Sequence, residues 1–148
     1  MSSSEQSSAP VAEKKPLEVE LEWKGDLRFH GHSHGAEIAL DSHGKDGVSP
    51  MQALAFAVAG CMAMDLVHIL TKQRVAPAAL QAKLVGRRPL ESPSRFTAIT
   101  LHFTIEGEAL DDQVQRAIQL SRDKYCSVWN SMRQDIDFQV TFTVNRTI

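Results

Sequence analysis

The stretch SPMQALAFAVAGCMAMDLVHIL, residues 49–70, decides how the rest of the chain is read. Ser49 at an N-cap and Pro50 at the first helical position are both start signals, since the first turn leaves the N–H that proline lacks unpaired anyway. The helix is expected from about Pro50 to Gln73, and it is apolar on most faces up to Ile69. Its length is that of a membrane span, but Asp65 and His68 fall inside it, where charge is costly in lipid, and no second span accompanies it. The reading is a core helix in the middle of the fold, with no membrane partner. One subunit struggles to cover such a helix on every side, so burial against the same helix of a second copy is expected, and with it a homodimer.

The flanks give the rest of the element order. Residues 1–15, MSSSEQSSAPVAEKK, are polar and Ser-rich; they are expected to be a disordered tail, and they lack the apolar run of a secretory signal. Residues 16–148 are expected to form a single domain. LEVELEW alternates Leu17, Val19, Leu21 and Trp23 with charged residues, the period of a half-buried strand. Strands LRFHG and AEIALD follow, and SHGKDG, residues 42–47, is loop chemistry. Beyond the central helix, strands are expected over Leu80–Arg88 and Phe96–Glu106. A helix is expected over Asp111–Ser121, a short one near Cys126–Arg133, and a closing strand through Phe138, Val140, Phe142 and Val144. The order β-β-β-α-β-β-α-α-β is α+β, not a doubly wound parallel sheet.

Composition narrows the function classes. Hydrophobic residues are 43% and charged residues 23%, ordinary for a globular chain. A net charge of −2 argues against nucleic acid or an anionic membrane as an electrostatic partner. Two cysteines, Cys61 and Cys126, are fewer than a secreted disulfide scaffold of this size carries, so a cytoplasmic protein with two thiols is expected.

Each thiol has two readings. Cys61 lies mid-helix, where the helix dipole lends little. Asp65 is four residues on, hence on the same face, and its charge disfavours a thiolate, so reactivity needs a cation from another element. Cys126, in RDKYCSVWN, lies near the start of a short helix with Arg122 and Lys124 close by, and both effects lower a thiol pKa. Either cysteine equally suits a small, inert core position. Their spacing is far outside any CxxC motif and does not pair them.

The central segment, with Cys61 eleven residues after Pro50, resembles the central helix of the OsmC/Ohr family, the osmotically inducible and organic-hydroperoxide-resistance proteins. AIQLSRDKYCSVWNSMRQDIDFQVTFTV is similar to the family's second-cysteine segment, and LSRDKYC and GRRPLESPSRF look most like an uncharacterised OsmC-like branch. The resemblance runs from about Leu17 to Val144. It implies antiparallel sheets wrapped around a long central helix, in an intertwined homodimer with active sites at the interface. It further implies a thiol peroxidase without a cofactor. Cys61 would be peroxidatic, attacking an organic hydroperoxide to become a sulfenic acid; Cys126 would resolve it as a disulfide, and an external dithiol would reduce that. One departure is Met51, where the family's peroxidases carry a glutamate that holds an arginine beside the thiol; methionine cannot accept hydrogen bonds as a carboxylate does. Nor does that arginine have a clear match: Arg28 lies in an expected strand but in no motif that aligns. A second reading is therefore a non-catalytic module that holds a small apolar or thiol-reactive ligand.

FHGHSHG, residues 29–35, supports a third reading. On a strand, His30, His32 and His34 share one face with Cβ atoms about 7 Å apart, so a metal would use two of them more easily than three. Gly31 and Gly35 flank the set, and a strand-turn segment without metal is the expectation. His68 is expected as a core or interface residue, and Arg87 and Arg88 as a solvated strand-end pair.

Overall fold

The computed structural model of the chain describes residues 10–146, so the tail expectation for residues 1–9 lies outside the described residues; residues 10–19 run exposed and without regular structure. The chain divides after Ser49 into two compact units.

The first unit is an antiparallel sheet of β1 (Glu20–Trp23), β2 (Arg28–Ser33) and β3 (Ala36–Asp41), in that order. β1 starts three residues later than its alternation suggests. The cause is the turn after Ser33: the Ser33 hydroxyl donates to the Glu18 carbonyl and the Glu18 N–H donates to His34 Nε2, so side chains replace the ladder there. Register places Leu21 opposite Gly31 and Gly31 opposite Ile38, with Trp23, Phe29 and Leu40 in line beside them. A side chain at Gly31 would crowd Leu21 and Ile38, so the glycine lets those two side chains lean together across β2. The opposite face carries Glu20, Glu22, His30, His32 and Glu37. After β3 the buried Asp41 carboxylate accepts the N–H groups of Asp46 and His43, which hold it below the usual carboxylate range and fix the loop.

The second unit begins with α1 (Pro50–Lys72) and continues through β4 (Ala79–Arg87), β5 (Ala98–Glu106), α2 (Asp111–Leu120) and β6 (Asp137–Asn145). Between α2 and β6 lie a π turn, Ser121–Tyr125, and a 3-10 turn, Trp129–Ser131, the latter where a short helix over Cys126–Arg133 was expected. The element order agrees with the α+β expectation. One feature corrects it: β5 pairs antiparallel with β4 but parallel with β6, so this sheet is mixed rather than antiparallel. The crossover through α2 returns the chain to the end of the sheet where β5 began, which a parallel neighbour requires.

β5 is central and buries Ile99, Leu101, Phe103 and Ile105 on one face, the period of 2 expected of a strand. α1 contributes Val58, Met62, Leu66 and Leu70, every fourth residue, and α2 adds Val114, Ala117 and Ile118 to the same core. α1 packs against α2, β4 and the π turn. It is not enclosed on all sides: Phe56 is 68% and Met64 74% exposed, and Val67 is exposed as well.

This core generates a stability expectation. Leu66→Ala should lower the unfolding free energy by about 2–5 kcal/mol in urea denaturation, because it removes a fully buried side chain and leaves a cavity. A loss well under about 1 kcal/mol would contradict the packing described.

Candidate functional site

Cys61 and Asp65 stand one turn apart on α1 and so on one face. Cys126 arrives by another route. α2 widens at its end into the π turn, and the Cys126 N–H closes that turn by donating to the Ser121 carbonyl five residues back, at 2.7 Å. The next turn grips the same residue: the Asn130 N–H and Nδ2 both donate to the Cys126 carbonyl, at 3.0 and 2.9 Å, and the Trp129 N–H donates to Cys126 Sγ at 3.4 Å. Ser121 is fully buried, and its hydroxyl donates to Asp65 Oδ2 at 2.7 Å, tying the end of α2 to α1.

The result is a three-group cluster. The two sulfurs and a carboxylate oxygen of Asp65 all lie within 4.8 Å of one another. Both thiols are free; Cys126 is fully buried and Cys61 only partly. Burial pushes the Cys126 thiol up from 9.0 to about 12; the Trp129 N–H opposes the rise, while Cys61 and Asp65 add to it. This corrects the expectation of an acidic Cys126. Arg122 is engaged elsewhere, 5.1 Å over the Phe138 ring and 5.9 Å over Trp129, and Lys124 lies 5.3 Å over Tyr125. The expected helix after Cys126 is a single 3-10 turn with little dipole to offer. Among the described residues Asp65 forms no ion pair with Lys, Arg or His. Asp65, expected to act on its helix neighbour Cys61, adds the smallest of the named contributions at Cys126.

A cleft of about 410 Å³ opens at the cluster's edge, with Asp65, His68, Ile69, Lys72, Leu120 and Tyr125 in its wall. His68 is exposed, which overturns the core half of its core-or-interface reading. Met51 is partly buried with Leu54, Phe96, Met132 and Ile136 around an apolar hollow. Arg88 Nε donates to the Ser94 carbonyl, and Arg28 to the Lys24 carbonyl, with Asp46 at 3.8 Å.

The three histidines do not converge. His32 pairs with Glu20 at 3.4 Å and His30 faces Glu37 at 3.9 Å, whereas His34 occupies the β2–β3 turn with φ +48°. Among the described residues, Cys61, Asp65 and Cys126 are the one grouping of three or more potential ligands. Two contributors went unread in the sequence: Ser121, taken only as the last residue of the expected Asp111–Ser121 helix, and the Trp129 N–H. Neither a π turn nor a backbone donor has a signature in residue spacing.

Comparisons with known proteins bear on the family and the fold. Residues 42–141 match the family described as OsmC-like protein. The chain is 36% identical to protein YhfA of Escherichia coli over 131 residues, covering 86% of this chain and 98% of YhfA. The crystal structure of a hypothetical protein from Aquifex aeolicus superposes with a TM-score of 0.84 at 25% identity, covering 91% of this chain and all of that one. The structure of an organic hydroperoxide resistance protein OsmC from Legionella pneumophila shares the fold, with a TM-score of 0.68 at 14% identity over 90% of this chain and all of its own.

The raised Cys126 thiol has a measurable sign. The native state holds that proton more tightly than the unfolded chain, so the group's contribution to stability is present below 9.0 and is lost as pH rises toward about 12. Urea denaturation of reduced protein at about pH 8 and about pH 10.5 should show a steeper loss for the natural chain than for Cys126→Ala. Equal slopes would mean that Cys126 titrates as an exposed thiol.

Proposed function

The chain belongs to the OsmC-like protein family, and on that premise we propose that it is a thiol-dependent peroxidase reducing organic hydroperoxides through Cys61 and Cys126. The observation that carries this reading is the pair of free thiols with sulfurs within 4.8 Å, one partly accessible and one buried. The hydroperoxide-resistance protein of Legionella pneumophila, which shares the fold, supports the substrate class.

The burial difference supports a division of roles. Cys61, the less buried of the pair, attacks the terminal oxygen of the hydroperoxide; the O–O bond breaks, the alkoxide takes up the thiol proton and leaves as an alcohol, and Cys61 becomes a sulfenic acid. Cys126 then attacks the Cys61 sulfur, its proton leaves with the hydroxyl as water, and a disulfide forms. A disulfide needs the sulfurs about 2.05 Å apart, so side-chain rotation closes the remaining gap. Burial shields Cys126 from direct oxidation, and its raised pKa means that resolution draws off its proton together with the leaving hydroxyl as Cys126 attacks the sulfenic acid. An external dithiol restores both thiols by exchange, and a reducing cytoplasm suits the cycle.

The same reading includes a homodimer. α1 leaves Phe56, Met64 and Val67 exposed, and the first unit exposes Leu21, Trp23 and Ile38 on one sheet face. Apolar faces of this kind suit a second copy. Sedimentation at micromolar concentration should give a single species of twice 16.4 kDa, and a monomer would contradict the dimer.

Met51 favours one alternative, a non-catalytic protein that binds a small apolar ligand, because it supplies no carboxylate to an activating arginine. One experiment separates the two. Reduced protein given one equivalent of an alkyl hydroperoxide should lose both thiols within minutes to an intramolecular disulfide seen by intact mass, and Cys61→Ser should not. Survival of both thiols in the natural chain would overturn the peroxidase reading and favour the binding one.

A further inference from the structure

We propose that Cys61, Asp65 and Cys126 also form, while the thiols are reduced, a site for one divalent cation of the zinc class. Two ligands come from one helix at i and i+4, which aims both to the same side, and the third comes from a separate element. Bonds of about 2.3 Å to sulfur and about 2.0 Å to oxygen place the ligands of a tetrahedral zinc roughly 3.5–4 Å apart. The three donor atoms here already lie within 4.8 Å of one another, so small side-chain rotations complete the site.

The donor chemistry selects the ion. Two sulfurs suit zinc and exclude magnesium and calcium, which take oxygen ligands. The Ser121 hydroxyl holds one oxygen of Asp65, orienting the carboxylate as hydrogen-bond partners of metal ligands do. Because Asp65 also lines the cleft of about 410 Å³, a water can reach the ion as fourth ligand. Among the described residues no Lys, Arg or His pairs with Asp65, so a bound cation supplies the positive charge the cluster lacks.

Binding changes no oxidation state. The cation displaces one proton from each thiol, and two thiolates, one carboxylate and a 2+ ion leave a net charge of −1. A disulfide between the sulfurs removes two ligands, so oxidation releases the ion. One consequence rests on the peroxidase reading: with both sulfurs coordinated, neither attacks a hydroperoxide, and the metal is a reversible inhibitor.

The test is titration of zinc chloride into reduced, untagged protein, followed by native mass spectrometry and competition with a chromophoric chelator. One zinc per chain is expected, with release of about two protons near pH 8, and no binding of magnesium at the same concentration. Ser121→Ala should weaken binding about tenfold, Cys61→Ser or Cys126→Ser should abolish it, and joint replacement of His30, His32 and His34 by alanine should leave it intact. In the natural chain zinc should also slow alkylation of Cys61 by iodoacetamide, a readout that needs no variant to fold. Zinc binding that survives loss of either thiol, disappears with the three histidines, or leaves alkylation unchanged would overturn the site. Disulfide formation with hydroperoxide in metal-free buffer reports separately on the peroxidase. A chain that forms the disulfide but ignores zinc loses only the metal site; one that binds zinc but forms no disulfide keeps the site and loses the inhibition.

Discussion

The hydroxyl of Ser121 donates to Asp65 across the contact between α2 and α1, and the place of the second thiol follows from that bond. Ser121 is also the residue whose carbonyl takes the Cys126 N–H and closes the π turn. One buried serine therefore fixes the helix end and the turn that projects Cys126 back toward Cys61. A hydrogen bond to a charged acceptor contributes about 1.5–3 kcal/mol, and a buried serine left without one costs a comparable amount. The wide turn puts Cys126 where a continuing α-helix would not, since the i to i−5 bond inserts an extra residue into the spiral.

Around that frame the electrostatics run in one direction. The cluster joins two thiols and a carboxylate, and the cations nearest Cys126 in sequence are spent on aromatic rings. Burial and negative neighbours keep Cys126 protonated, which disfavours it as the first nucleophile and means that its proton leaves with the hydroxyl during resolution. The same deficit of positive charge makes the cluster receptive to a metal ion. The peroxidase and metal readings thus draw on one feature used in two redox states.

Much of the fold was legible because its signals are periodic. Alternation at Phe138, Val140, Phe142 and Val144 and the start signal at Pro50 found their elements within a few residues. The parallel pairing of β5 with β6 was not legible, since strand direction depends on where a crossover returns the chain and leaves no mark on alternation. At the site, the Cys61 and Asp65 face followed from helical spacing alone. The nearness of Cys126 did not: resemblance implied it, and a π bond and a serine hydroxyl produce it. The acidity expected of Cys126 failed first because the residue is buried, and then because sequence proximity of Arg122 and Lys124 says nothing of where their charges point.

The central claim is that α1 and the π turn hold the two sulfurs as a preformed pair. Equilibration in glutathione redox buffer, with acid quenching and mass mapping, tests it most directly. A preformed pair predicts an intramolecular Cys61–Cys126 disulfide as the sole oxidised species, with mixed disulfides too short-lived to accumulate. Accumulation of glutathione on Cys61 beside an unreacted Cys126 would mean that the sulfurs do not meet, and would contradict the account at its root.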